Sequence, residues 1–182
     1  MKRIDTSLAG VCVLEPKVFG DTRGFFLESF NARTFEDLLG FAPDFVQDNH
    51  SRSQRGVLRG LHYQIRQPQA KLVRVTRGAV WDVAVDLRRS SPTFGRHFGC
   101  ELSEDNQRQM WIPAGFAHGF LVLSDVADFL YKTTDFYAPE HERCLQWNDP
   151  DLGLTWPLAG MEPTLSAKDK QGLPLARCEV FD

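Results

Sequence analysis

Trp81-Asp82-Val83-Ala84-Val85-Asp86-Leu87 is the stretch that decides the fold. Its large apolar residues fall at every second position, which places Trp81, Val83, Val85 and Leu87 on one face of a strand. A helical period of 3.6 would scatter the same four residues around a cylinder. Working outward, comparable runs lie on either side. Val57–Gln64 and Lys71–Thr76 precede it, Ala79–Leu87 encloses it, and Phe94–Leu102, Gln109–Ile112, Phe116–Leu123 and Asp128–Thr133 follow. Turn residues separate the runs: Gln67-Pro68, Arg77-Gly78, Ser91-Pro92, Pro113-Ala114-Gly115 and Ser124-Asp125. Strands spaced by about ten residues with such punctuation predict a mainly β, antiparallel sandwich or barrel.

Helical signal is sparse. Asn31 can cap a helix over the following residues and Gly40 can stop it. Ser166 and Asp169 stand in capping-box spacing and predict a short turn near the C-terminus. One or two short helices are therefore expected.

The 182 residues carry 21 basic and 24 acidic side chains, a net charge of −3, and 42% apolar residues. That composition excludes a disordered tail, a collagen-like repeat and a strongly basic nucleic-acid binder. No internal repeat or linker divides the chain, so a single domain over residues 1–182 is expected, exposing about 9,000 Å² when folded. Cys12, Cys100, Cys144 and Cys178 contain no CxxC pair, and the chain has neither a charged-then-apolar leader nor an 18-residue apolar run. A cytoplasmic protein with reduced, mostly buried thiols and no membrane contact follows as the expectation.

Asn49–Gly78 holds seven basic side chains (Arg52, Arg55, Arg59, Arg66, Lys71, Arg74 and Arg77) and no acidic one. Two hairpin strands with that charge would suit an anion. The alternative is a solvated basic face paired with acids from elsewhere. Thin aromatic interleaving and the negative net charge argue against nucleic acid. Within the stretch, Arg59, His62 and Lys71 are expected on paired strands. Strict alternation would turn Arg59 and His62 to opposite faces, and a bulge at Gly60 would re-aim one of them.

Pro113-Ala114-Gly115-Phe116-Ala117-His118 resembles the Pro-x-Gly-x-x-His turn of the cupin jelly roll. In metal-binding cupins this histidine is a ligand alongside an earlier His-x-His motif. Here His62-Tyr63-Gln64 stands at that place and the second histidine is missing. His62 and His118 alone fall short of the three ligands a facial metal site requires.

Six landmarks in order make the resemblance specific: Phe19-Gly20-Asp21-Thr22-Arg23-Gly24-Phe25-Phe26, Gln47-Asp48-Asn49-His50-Ser51, Val57–Gln64, Ile112–Phe120, then Tyr131-Lys132-Thr133-Thr134 with Tyr137-Ala138-Pro139-Glu140, and Leu165–Asp169. Over residues 1–170 the chain resembles the dTDP-4-dehydrorhamnose 3,5-epimerase family. The resemblance implies a cupin jelly roll, no cofactor and no metal, and a homodimer. It also implies inversion of a dTDP-linked 4-keto-6-deoxyhexose at C3 and C5, in dTDP-L-rhamnose biosynthesis.

Those carbons lie α to the C4 ketone, so each proton can leave once the enolate is stabilised. His62 suits the base. By resemblance Asp169 orients it, Lys71 holds the enolate oxygen and Tyr131 returns a proton from the opposite face. His118 matches a pocket histidine, and Asp82 is a candidate partner for it or for Lys71. Arg59 and Arg23 match diphosphate or nucleotide contacts, and Gln47, Asn49, Glu28, Glu142 and Lys168 match further binding positions. Tyr137 matches the aromatic stacked on thymine. In the family Arg23 and Glu28 reach the neighbouring subunit's site, so the N-terminal segment is expected to complete a partner's pocket. Tyr63 stands where relatives carry Phe, and the last dozen residues match poorly. A single-carbon epimerase, a ketoisomerase on a related dTDP-sugar, and a metal-dependent cupin dioxygenase or binding protein remain as alternatives.

Overall fold

A computed structural model describes all residues, 1–182, with an accessible surface of 9520 Å². The strands are β1 (Lys2–Asp5), β2 (Cys12–Glu15), β3 (Val18–Asp21), β4 (Gly24–Leu27), β5 (Gln47–Gln54), β6 (Leu58–Gln64) and β7 (Lys71–Arg77). They continue as β8 (Ala79–Asp86), β9 (His97–Ser103), β10 (Gln109–Ile112), β11 (Phe116–Val122), β12 (Val126–Thr133) and β13 (Glu142–Cys144). One helix, α1 (Ala32–Leu39), joins the N-terminal strands to β5. All strand pairing within the sheets is antiparallel, and the seven expected strands are present within a few residues of their expected ends.

Two sheets face each other. One has the order β1-β2-β10-β7-β12-β5 and the other β13-β6-β11-β8-β9, while β3 and β4 form a separate hairpin. Successive strands from β5 to β8 alternate between the sheets, as do β9 to β12. This corrects one expectation: β6 and β7 are not paired. The Gln67-Pro68 segment arches from one sheet to the other, so His62 and Lys71 come from opposite walls of the sandwich. The arch from β7 to β8 is tight. Gly78 has φ +72°, and a Cβ there would lie 2.0 Å from the Val126 carbonyl oxygen, so only glycine fits.

Apolar packing forms three layers. Val73, Val75, Met110, Ile112 and Phe129 from one sheet meet Val80, Ala84, Leu102, Phe116, Phe120 and Val122 from the other. The face of β8 singled out by its alternation is turned away from this interior. Val83, Val85 and Leu87 pack instead with Leu58, Leu61, Leu121, Leu145, Leu152 and Trp156 under the C-terminal segment. Both faces of β8 are thereby buried, and Asp82 and Asp86 are fully enclosed. The third layer lies outside the first sheet, where α1 docks Phe35 against Cys12, Leu14, Leu72 and Trp111. Asn31 caps α1 by accepting from the Arg33 and Thr34 N–H groups at 3.0 and 3.3 Å, a contact that contributes about 1 kcal/mol. Gly40 ends the helix in the left-handed region at φ +84°.

The last dozen residues, to which sequence assigned nothing, close the outer face of the second sheet. Phe181 exchanges backbone hydrogen bonds with Leu87 and Arg89, and Tyr63 Oη donates to the Glu179 carbonyl at 2.6 Å. All four cysteines are free, but only Cys12 is fully buried, fewer than expected. No helix is long and apolar enough to cross a membrane.

Candidate active site

The Gly60 bulge is present. His118 pairs with His62 and Phe120 with Arg59, so Gly60 and Leu61 together oppose Gly119. The backbones pinch at this point: a Cβ on Gly60 would sit 2.7 Å from Gly119 Cα, and one on Gly119 2.5 Å from the Arg59 oxygen. The extra residue turns Arg59 and His62 toward the same cavity.

That cavity, about 370 Å³, opens between the sheets. His62, His118 and Arg59 reach it from β6 and β11; Lys71, Tyr131, Gln47 and Asn49 reach it from β7, β12 and β5. Tyr137, Glu142 and Lys168 rim its mouth. Ten residues proposed from the sequence therefore converge. Arg23 and Glu28 do not. Arg23 is exposed on the β3–β4 hairpin and pairs with Asp21, and Glu28 accepts from Asn31 at 3.0 Å. Sequence reasoning did not single out Ser51, Gln64, Gln69, Phe120 or Phe129 as lining residues. Their spacing carries no signal, because strand registry alone brings them together.

Asp169 lies behind His62, outside the cavity lining. Its Oδ1 is 2.7 Å from His62 Nε2, although the ring's in-plane N–H direction does not align well with the oxygen. The same carboxylate accepts from the Gly60 N–H at 3.1 Å and from Ser166 Oγ at 2.6 Å. Burial alone would raise its pKa, but the His62, Ser166 and Gly60 contacts hold it well below the usual carboxylate range. The bulge glycine that re-aims His62 thus also anchors the carboxylate beside it. The capping-box spacing of Ser166 and Asp169 corresponds to a real turn, Asp169–Gln171.

His118 points Nε2 at both oxygens of Asp82, at 3.0 and 3.1 Å. Burial pushes the Asp82 carboxyl up and the His118 imidazole down, while each partner favours the charged form of the other. The neutral imidazole that burial favours can donate Nε2–H to Asp82. Lys71 is also buried. Burial lowers its pKa from 10.5 to about 8, against the pull of Asp82 and Glu142, so its ammonium persists at neutral pH. Burial, with Glu142 adding to it, raises the Tyr131 phenol above its ordinary value and keeps it protonated. The cavity therefore offers an imidazole with an attached carboxylate on one wall, a phenol on the other, and a desolvated ammonium.

At the mouth, Glu142 accepts from Tyr137 Oη at 2.9 Å and from Lys168 Nζ at 2.7 Å. Gln47 holds the Tyr137 N–H at 3.0 Å and donates to Asn49 at 2.9 Å. The basic stretch divides between its two readings. Arg52 and Arg55 pair with Asp128 and Asp125, whereas Arg59 and Lys71 serve the cavity. His62 and His118 each turn to a separate carboxylate.

Four similarities to known proteins bear on this arrangement. The family described as dTDP-4-dehydrorhamnose 3,5-epimerase matches residues 5–177. A Pseudomonas aeruginosa protein named dTDP-4-dehydrorhamnose 3,5-epimerase is 64% identical, across 100% of this chain and 99% of its own. A Legionella pneumophila dTDP-6-deoxy-D-glucose-3,5-epimerase, solved with dTDP-4-keto-L-rhamnose, superposes with a TM-score of 0.95 at 54% identity, covering 98% of this chain and 94% of that one. A Streptomyces bikiniensis 3'-monoepimerase, solved with dTDP-quinovose, gives 0.89 at 38% identity, over 94% and 86% of the two chains. A jelly-roll sandwich with these residues in its cavity, matched along almost its whole length, is an isomerase that belongs to the dTDP-4-dehydrorhamnose 3,5-epimerase family.

Proposed function

We propose that the enzyme inverts C3 and C5 of dTDP-4-dehydro-6-deoxy-D-glucose, giving dTDP-4-dehydro-L-rhamnose for dTDP-L-rhamnose biosynthesis. The observation that carries the reading is the placement of His62 and Tyr131 on opposite sheets around one cavity, with Lys71 also lining it. With Nε2 held beside Asp169, His62 takes the C3 proton through Nδ1, and Asp169 stabilises the imidazolium that forms. The electron pair left at C3 moves onto the C4 oxygen, where the Lys71 ammonium meets the developing charge. Tyr131 then delivers its proton to the other face of C3 and the ketone re-forms. His62 then gives up its proton to water and Tyr131 regains one from water, and the same sequence at C5 completes the reaction. His118, oriented by Asp82, contacts the sugar carbonyl or hydroxyls.

Arg59 takes the diphosphate, and Tyr137 presents its ring to thymine at the mouth. Gln47, Asn49, Glu142 and Lys168 complete the binding contacts. The chain works as one domain and as a homodimer. Val18, Phe19, Phe25 and Phe26 on the β3–β4 hairpin are 44 to 70% exposed, more apolar surface than an isolated two-stranded hairpin supports. A second copy would cover them and bring Arg23 and Glu28 to its own cavity. Four unpaired thiols suit the reducing cytoplasm.

Turnover in deuterated water tests the reading. The product should carry deuterium at C3 and C5. Deuterium at C3 alone would make this a mono-epimerase like the Streptomyces bikiniensis relative, and deuterium at neither would remove the proton-transfer mechanism.

A further inference from the structure

Cys144 has no part in the reaction proposed above, yet it faces the catalytic pair. It is the direct cross-strand partner of His62, so its side chain projects on the same side of the sheet. A His62 ring nitrogen, Cys144 Sγ and an Asp169 carboxylate oxygen all lie within 4.8 Å of one another, and Nε2 is the nitrogen 2.7 Å from Asp169. His62 Nε2 is buried, and Asp169 Oδ1, 2.7 Å away, lies off its N–H direction. Cys144 also lines a depression of about 270 Å³ with Arg143, Cys178 and Glu179, which adjoins the cavity mouth because Glu142 and Lys168 line both.

We propose that His62, Cys144 and Asp169 form a binding site for a zinc-class divalent cation, and that occupancy switches the enzyme off. Imidazole nitrogen, thiolate sulfur and carboxylate oxygen are the ligand set of a borderline-soft metal. Bonds of about 2.0 Å to nitrogen and oxygen and about 2.3 Å to sulfur place tetrahedral ligands about 3.3–3.6 Å apart. The His62–Asp169 contact must therefore open slightly from 2.7 Å and the thiol must close in. Zinc displaces the thiol proton to solvent and leaves a fourth position for water. The switch follows from the tautomer and rests on the base role given to His62. Once the Nε2 lone pair is on the metal, the ring proton must sit on Nδ1, which can no longer accept one from C3. Around the thiol, Asp169 and Glu142 are the negative groups and Lys168 the positive one.

The test titrates the purified protein with zinc against a chromophoric chelator, and with cobalt to read the thiolate-to-metal band. One zinc per chain is expected, with the cobalt band present. Cys144→Ala and Cys144→Ser should each weaken zinc at least about tenfold and abolish the band, while Cys178→Ala should change neither. With zinc saturating, solvent-hydrogen exchange into substrate should stop in the native chain and continue in Cys144→Ala, whose metal-free rate is unchanged. Zinc binding that survives loss of Cys144, or no zinc binding, overturns the site. A cobalt–thiolate band with undiminished exchange upholds the site and overturns the switch together with the base role of His62.

Discussion

Replacing Lys71 with methionine should make the protein more stable and far less active. Burial pulls the ammonium from 10.5 to about 8, even with Asp82 and Glu142 nearby. A tenfold change in proton affinity is about 1.4 kcal/mol, so keeping this charge at pH 7 costs the folded chain about 3 kcal/mol. The unfolded chain holds the proton more tightly, so native stability rises with pH between about 8 and 10.5. Methionine has a similar length and no charge to desolvate. At pH 7 its unfolding free energy should exceed that of the native chain by about 3 kcal/mol, or about 6–12 °C in Tm for a chain of this size. By pH 10 the native lysine is nearly neutral, and the advantage should fall to about 1 kcal/mol. Turnover should drop by about 10²–10³, the usual effect of removing one group that stabilises a developing oxyanion. Urea unfolding at both pH values, with turnover at pH 7, checks all three parts. A less stable variant at pH 7, or a gain that does not shrink with pH, would refute the reasoning.

Three further outcomes follow from the geometry. Arg59→Ala should weaken dTDP binding by about 1–3 kcal/mol in calorimetry, and unchanged affinity would move the diphosphate elsewhere. Asp86 is enclosed and accepts from Arg88, Ser91 and Thr93, which hold it at about 2 against burial. Its contribution, about 2.5 kcal/mol, is present above pH 4 and lost as pH falls toward 2. Asp86→Ala should therefore lower stability at pH 7 by at least that amount in urea titrations, and the deficit should narrow in acid. Phe25→Ser with Phe26→Ser should shift the dimer to monomer in light scattering. Both protomers carry the change, so four Phe are lost per dimer at about 1.5–3 kcal/mol each, and dissociation should rise at least about 10⁴-fold.

The seven central strands were legible because their apolar and polar residues alternate between firm turn residues. β5 was not, because Gln47-Asp48-Asn49-His50-Ser51-Arg52-Ser53-Gln54 contains no apolar residue to mark a face. It is an edge strand whose polar side chains line the cavity, so its chemistry was visible through the family resemblance while its structure was hidden. The face of β8 was read correctly, but nothing in its alternation said what covers it. A strand buried on both sides reads like a half-buried one when its second cover is the irregular C-terminal segment. Pairing of β6 with β7 was the natural expectation for neighbouring strands across a short turn. The crossing between sheets depends on the tertiary fit of the whole sandwich, which no local pattern reports. For the same reason no spacing argument could bring Asp169 to His62 across 107 positions of chain. Cys144 was counted only as a thiol, because its registry with His62 is a property of β13.

The division of labour between His62 and Tyr131 is tested most directly by following deuterium into substrate and product at C3 and C5 in His62→Asn and Tyr131→Phe side by side. The account predicts no exchange at either carbon in His62→Asn, with dTDP still bound. In Tyr131→Phe it predicts continued exchange that outpaces inversion. Exchange that persists in His62→Asn, or equal loss of exchange and inversion in Tyr131→Phe, would contradict it.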